Sequence, residues 1–328
     1  TMSFWTDYFW RTTSVFAALL LLAGGLFTAH ANPQRGVPDN LIMFGGYGDA
    51  ALVVDKEECS VNVYRKLDFW ELESKYPCSS GKKNGDKQHA GDKRTPNGIY
   101  RFIRAWNDKQ LKRQYGTTTA KLYGSGALVT DYPNFLDFIY YRKTGNGIWL
   151  HGTRAEEPVA TRGCISVRND DLLLLRNQVV MQRTPMLVEE TVRYLSKSEL
   201  ATERDRLLDF LERWRSSWEE GRHEEYLSLY SKDFLTRRFN YKRWVQHKTR
   251  VNQTNKRRHV RIHPLSILKA NGYIEVILTQ DYESSRLNSY GLKALYLRKR
   301  EDGTYRILTE TWKDLPPKQF TALNRWTQ

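Results

Sequence analysis

One stretch of the chain concentrates residues that can do chemistry: Gly147 to Asp171, reading GIWLHGTRAEEPVATRGCISVRNDD. A strand-like run ends in His151-Gly152, and Cys164 follows thirteen positions after the histidine, in Thr161-Arg162-Gly163-Cys164. A thiol attacks a carbonyl as its thiolate. A nearby imidazole can take the thiol proton and later return one to a leaving amine. Gly163 lets a substrate carbonyl approach the sulfur closely, and backbone N–H groups around Gly163 and Cys164 can form an oxyanion hole. Arg162 puts a positive charge beside the thiol, which favours thiolate. A lone Cys and a lone His are more often an inert buried thiol and a hydrogen-bonded core imidazole. The strand end, the flanking glycines and the odd cysteine count favour a site.

The elements that must hold this segment are mostly strands. Ala51 to Asp55 is a short apolar run, and Ser60 to Tyr64 and Glu73 to Cys78 alternate apolar and polar. A polar loop from Gly81 ends in the turn signal Thr95-Pro96-Asn97-Gly98, and Ile99 to Ile103 resumes a strand. Phe135 to Arg142 and Gly147 to His151 are further strand candidates. Asn169, as N-cap, with Asp170 and Asp171 opens a helix carrying Leu172 to Leu175. The character changes within roughly 190–203. Ser198 to Glu220 is helical, with Leu207, Leu208, Leu211, Trp214 and Trp218 at helical spacing. Glu224 to Phe234 and Tyr241 to Lys248 read as shorter helices. Four long strand-like stretches follow: Val260 to Leu268, Tyr273 to Tyr282, Gly291 to Arg300 and Tyr305 to Trp312. Glu301-Asp302-Gly303 makes a hairpin between the last two. Helices before an antiparallel meander describe an α+β domain.

Composition bounds the rest. The 328 residues suggest about two domains. Hydrophobic residues make up 40% and charged residues 27%, which excludes disorder, collagen and coiled coil for the bulk of the chain. The net charge of +15 fits nucleic acid, an anionic membrane surface or an acidic polymer such as a bacterial wall. Val15 to Phe27 is apolar but shorter than the roughly 20 residues of a membrane span, and the A-x-A-like Ala29-His30-Ala31 follows it. This predicts an exported, periplasmic protein with a signal peptide over 1–31. An uncleaved anchor, and with it membrane association, is the alternative. Export argues against nucleic acid as a partner. Lys256-Arg257-Arg258-His259, with Arg261 and His263, is either a dock for acidic wall polymer or, more often for such a run, a charged loop and strand edge. The two histidines lack partners at ligand spacing, so no metal is expected there.

The same segments resemble the L,D-transpeptidase (YkuD) catalytic domain over about residues 40–190. The matches are His151-Gly152, Thr161, Gly163-Cys164-Ile165 and Asn169 to Asp171, with upstream Leu52 to Asp55, Val63-Tyr64, Tyr76 to Gly81 and Gly91 to Gly98. The usual His two before the Cys is Arg162, and the Arg often found two after it is Ser166. The resemblance implies a mainly β catalytic domain, sandwich- or barrel-like with short helices, over 32–190. It implies Cys164 as nucleophile, His151 as base and the Gly152 carbonyl as the group that orients the imidazole, with no cofactor. Arg162 and Arg168, with Thr161 and Gly163, become candidates for binding the peptidoglycan stem peptide, the Arg side chains by gripping its carboxylates. The C-terminal part resembles the NTF2-like fold, over 203–328 after a linker at 191–202. The carriers are Trp214, Trp218 to Gly221, Tyr226, Tyr230 to Phe234, Trp244, Gln280 to Tyr282, Gly303 to Ile307, Glu310 and Trp312. The pairing of the two domains is similar to that of cell-shape L,D-carboxypeptidases, so trimming of tetrapeptide to tripeptide stands beside crosslinking as an outcome. A catalytically silent wall-binding protein is a further alternative, and dimers are possible in the family. If Ser60 to Tyr64 pairs antiparallel with Glu73 to Cys78, paired positions sum to about 137, and Cys59 and Cys78 face each other within disulfide range. A Cys59–Cys78 disulfide is therefore expected, leaving Cys164 as the free thiol.

Overall fold

The computed structural model describes residues 36–44, 49–66, 69–254 and 257–325. The signal-peptide segment and Lys256 lie outside the described residues. In chain order the strands are Val37–Pro38 (β1), Leu41–Phe44 (β2), Ala50–Asp55 (β3), Ser60–Lys66 (β4), Trp70–Ser79 (β5), Gly98–Asn107 (β6), Gly126–Thr130 (β7), Trp149–His151 (β8), Ile165–Val167 (β9), Pro185–Glu189 (β10), Tyr194–Leu195 (β11), Arg258–Ala270 (β12), Tyr273–Ser284 (β13), Asn288–Lys299 (β14) and Tyr305–Asp314 (β15). The helices are Asp108–Ala120 (α1), Phe135–Ile139 (α2), Asn169–Gln178 (α3), Lys197–Glu219 (α4), His223–Ser228 (α5), Tyr241–Thr254 (α6) and Pro317–Arg325 (α7).

Strands β3 to β10 close into a barrel in the order β10-β3-β4-β5-β9-β8-β7-β6. The continuous apolar run of β3 follows from its two buried faces. Leu52 and Val54 join Val61, Val63, Tyr100, Phe102, Leu150, Ile165 and Val167 in the barrel interior, while Ala51 and Val53 belong to a second core shared with the C-terminal part. A side-chain period of two sends alternate residues to opposite faces. Strands β8 and β9 pair in parallel, Leu150 with Ile165 and His151 with Ser166. This sets the two candidate segments side by side.

The C-terminal part is a five-stranded sheet in the order β15-β14-β13-β12-β2. Its fifth strand, Leu41–Phe44, comes from the far end of the chain and pairs antiparallel with Ser266–Leu268 of β12. Helix α4 starts at a capping box, Ser196 with Glu199. It buries Leu200, Leu207, Phe210, Leu211 and Trp214 in the same core as Ile267, Val276 and Leu295. The two parts lock together through buried polar contacts. Arg101 of β6 donates to Glu275 of β13 at 2.5 Å, and the Ile99 N–H donates to the Tyr273 hydroxyl at 2.8 Å.

Several sequence expectations are corrected here. Phe135 to Arg142 is not a strand: Asn134 and Asp137 form a reciprocal capping box, and Phe135–Ile139 is helical. Helix α3 is capped at Arg168, with no side-chain bond, so Asn169 is its first residue rather than its cap. The β4–β5 register does place Ser60 opposite Pro77, and the Cys78 N–H donates to the Cys59 carbonyl at 2.7 Å. Yet Cys59 and Cys78 are free thiols. Cys59 occupies a left-handed turn, φ 53°, and its Sγ lies 3.5 Å from the Lys56 carbonyl, while Cys78 is buried. The expected Cys59–Cys78 disulfide is not formed in this structure, although Cys59 is near enough to help burial push the Cys78 thiol up. The described part of the basic cluster is largely paired within the chain, though of the three residues paired here only Arg258 is buried. Arg258 is buried against Asn252 and the Glu219 carbonyl, His259 meets Glu219, and Arg261 meets Asp281 and Glu283.

Candidate active site

His151 ends β8 and is buried. Its Nδ1 lies 2.6 Å from the Gly152 carbonyl. A carbonyl only accepts, so Nδ1 carries the proton and Nε2 keeps a lone pair. Burial is the first cause of a lowered imidazole pKa, against which the Gly152 contact acts in the opposite direction. The ring is therefore neutral at pH 7 and fit to accept a proton.

Gly152 sits where only glycine fits. A Cβ there would fall 2.3 Å from Asn169 Oδ1 and 3.1 Å from the Ser125 nitrogen. Asn169 Oδ1 accepts from the Ser125 N–H at 2.7 Å, and the Ser125 hydroxyl donates to the Asn169 carbonyl at 3.2 Å. Asn169 thus ties α3 to the turn before β7 and presses both on the Gly152 backbone. In the sequence Asn169 stood as a helix start and as part of the family resemblance, with no sign of its contact with Gly152.

Cys164 is half-buried, one residue before β9. Its thiol donates to the Gly147 carbonyl at 3.3 Å. Desolvation pushes it up to about 11, against smaller lowering by the Trp149 backbone and the Lys87 charge. Lys87 is itself buried, donating to Asp92 at 2.7 Å. Cys164 and His151 share an aromatic wall that the sequence pattern did not announce. Tyr123 stands edge-on to His151, with centroids 5.1 Å apart, and lies tilted at 42° to Trp149 with centroids 4.7 Å apart, while Cys164 packs on the same Trp149 cluster.

The loop before the thiol is braced rather than open. The Thr161 hydroxyl donates to the Cys164 carbonyl at 2.6 Å and accepts from the Gly163 N–H at 3.0 Å. Thr161 therefore shapes the loop, and the Gly163 N–H is already engaged. The Gly163 carbonyl accepts from Thr95 Oγ1 at 3.0 Å, which gives the Thr-Pro turn its role beside the thiol. At Gly163, φ is 135° and a Cβ would meet the Arg94 carbonyl at 2.9 Å. Arg162 is exposed, with no ion pair among the described residues. Arg168 is held by Asp171 at 2.9 Å, with Glu157 at 3.9 Å. The cations that sequence spacing could not place come from α1, the turn directly after it and the loop after β8. Lys112, Lys121 and Arg154 line a cavity of about 470 Å³ whose floor is Gly124, Ser125 and Asn169. Among the described residues no cluster of three His, Cys, Asp or Glu side chains can hold a metal ion, and no helix is long and apolar enough to cross a membrane.

Residues 49–188 match the model of the L,D-transpeptidase catalytic domain, YkuD, and residues 206–311 match that of the Cds6 C-terminal NTF2-like domain. Bd1075 of Bdellovibrio bacteriovorus is 33% identical with a TM-score of 0.73, over 86% of this chain and 99% of that one. The helical cell shape determining protein Pgp2 of Campylobacter jejuni shares the fold at 24% identity and TM-score 0.67, over 84% of this chain and 94% of that one. No curated protein matches the chain. The chain belongs to the L,D-transpeptidase (YkuD) family, with an NTF2-like domain following the catalytic domain.

Proposed function

We propose that the chain is an exported cysteine acyltransferase of peptidoglycan, an L,D-transpeptidase in which Cys164 is the nucleophile and His151 the base. The observation that carries this is the Nδ1 contact of His151 with the Gly152 carbonyl, which leaves Nε2 as an acceptor on the strand beside Cys164. With the thiol pushed up to about 11 and the imidazole lowered, the resting pair is neutral. The thiol proton then moves to Nε2 as sulfur attacks the amide between the L-centre of meso-diaminopimelate and terminal D-Ala. The tetrahedral oxyanion rests on the Cys164 N–H, since Gly163 donates to Thr161. The C–N bond breaks, His151 returns the proton to the D-Ala amine, and a thioester remains. An amine from a second stem attacks it, passing its proton to His151. A 3→3 crosslink forms and the thiol is restored.

Water in place of the amine gives tripeptide. That second reading, an L,D-carboxypeptidase for cell shape, is favoured by the likeness to a cell shape determining protein. Mass spectrometry of disaccharide-tetrapeptide incubated with the protein, beside Cys164→Ala, decides. Dimers with 3→3 links are expected for the transpeptidase and tripeptide alone for the carboxypeptidase. Neither product from a folded protein returns the chain to wall binding without chemistry.

A further inference from the structure

A second cavity lies far along the chain from the thiol, on the C-terminal sheet. It measures about 430 Å³, and its walls bring together Lys232, Arg298, Arg300 and Arg306 with the hydroxyls of Ser231 and Tyr241. No Asp or Glu lines it. Arg298 and Arg306 are direct cross-strand partners on β14 and β15, so they share one face of the sheet. Like charges placed directly opposite destabilise a strand pair. Some cations of this domain meet carboxylates, Lys293 with Glu310, Lys299 with Glu203 and Arg261 with Asp281, and others, such as Arg237 and Lys248, lie over aromatic rings. Here, among the described residues, Lys232, Arg298 and Arg306 have no carboxylate within 4 Å. Arg300 has only Asp302, at 3.8 Å with both side chains exposed. Instead, Lys232 donates to the Tyr241 hydroxyl at 2.9 Å, and Arg298 lies over the Tyr140 ring. Arg306 donates to Thr304 and to the Tyr305 carbonyl. Arg298 and Arg306 are half-buried, where screening by water is weaker than at an open surface.

We infer that this cavity is a binding site for a phosphate ester. Four cations on one concave surface raise the local concentration of anions. Two guanidinium forks can each take two oxygens of one phosphate, while an ammonium and hydroxyls supply single donors to the rest. A phosphate monoester brings nearly two charges and three acceptor oxygens to these cations where a carboxylate brings one and two, and a headgroup, singly charged itself, reaches them from a surface dense in such charges. The volume admits a phosphorylated sugar or a lipid headgroup, which present the same chemistry.

The test uses the full chain at low ionic strength. Inorganic phosphate, glucose 1-phosphate and succinate are titrated by calorimetry, and phosphatidylglycerol vesicles are tested by co-sedimentation. Saturable binding of glucose 1-phosphate or of the vesicles, weakened about tenfold or more in Arg306→Gln, is expected, each charge-assisted bond being among the strong ones. Lys232→Gln, an exposed change that the fold tolerates, is expected to weaken it as well. Glucose 1-phosphate without vesicle binding identifies a phosphorylated glycan or metabolite, and vesicle binding identifies a headgroup. Binding of succinate as tight as that of phosphate overturns the inference. So does an absence of binding by every probe, or binding that neither substitution changes while both variants melt with the parent.

Discussion

Gly152 and Asn169 are packed so closely that a methyl group on residue 152 would fall 2.3 Å from the Asn169 carboxamide oxygen. The same Gly152 supplies the carbonyl that fixes the tautomer of His151. Gly152→Ala must therefore move the backbone that aims the imidazole. A displacement near 1 Å costs about a hundredfold in rate, so a loss of that order in turnover is expected. Asn169→Ala removes the atom that is hit, and the double variant is expected to recover part of the loss. A cycle in which the two losses simply multiply would separate the residues energetically.

The protonation states predict a pH signature. Burial lowers the His151 pKa below the ordinary 6.5, so the base-competent neutral form persists into mildly acid solution, and the rising limb of kcat/KM is expected below 6.5. The thiol, pushed up to about 11, is ionised to about one part in ten thousand at pH 7. Iodoacetamide alkylation of Cys164, in a Cys59→Ser, Cys78→Ser background, is expected to rise with pH toward a midpoint near 11. A midpoint near 7 would mean a preformed thiolate–imidazolium pair and would remove the need for base catalysis in the attack.

Much of this was legible from residue order. The barrel strands read out because alternate residues face two apolar interiors, and the glycines of His-Gly and Gly-Cys stand where a Cβ would meet Asn169 Oδ1 and the Arg94 carbonyl. Helix α1 did not, for it buries only Leu111 and Ala120, carries three threonines and breaks at Gly116, with φ 78°. Its contribution, Tyr115 beside Trp149 and Lys112 over the Asn169 cavity, is tertiary and left no periodic signal. Helix α2 had a usable signal in Asn134 and Asp137, but five residues rich in Phe and Ile suit either period. The pairing of Leu41–Phe44 with β12 spans more than 200 positions of sequence, and no local pattern encodes it. Arg168 was a candidate for gripping a substrate, with a solvated surface charge the favoured reading, and its carboxylate partner, Asp171, stands three residues on.

The cavity lined by Lys112, Lys121 and Arg154 abuts the turn that packs on Gly152, and stem peptides carry several carboxylates. Lys112 is already paired with Asp108 at 2.5 Å, which leaves Lys121 and Arg154 to receive a carboxylate. Lys121→Gln and Arg154→Gln are each expected to raise KM for the tetrapeptide about three- to tenfold with little change in kcat, the pattern of uniform binding. A fall in kcat at unchanged KM would place these charges on the reacting centre instead. Arg168→Gln leaves the buried Asp171 without its cation, so it is expected to cost stability while shifting neither constant.

The junction of the two domains rests on Arg101 and Glu275, both buried, at 2.5 Å. Asp131 lies beside Arg101 and accepts its backbone N–H at 2.9 Å; burial pushes that carboxyl up to about 6, against the lowering effect of Arg101. Removing the cation therefore strands two acids, whereas removing Glu275 leaves Arg101 with one. Arg101→Met is expected to destabilise by about 3–5 kcal/mol, the cost of a broken buried pair, and Glu275→Leu by less. The double variant is expected to recover only part of the loss, because apolar groups of similar volume replace the pair while Asp131 stays buried without its cation. Urea unfolding followed by Trp fluorescence measures all three. Equal losses for the two single variants would show that Asp131 is not coupled to the pair. A loss under about 1 kcal/mol would show that water reaches the junction and screens it as it does a surface bridge.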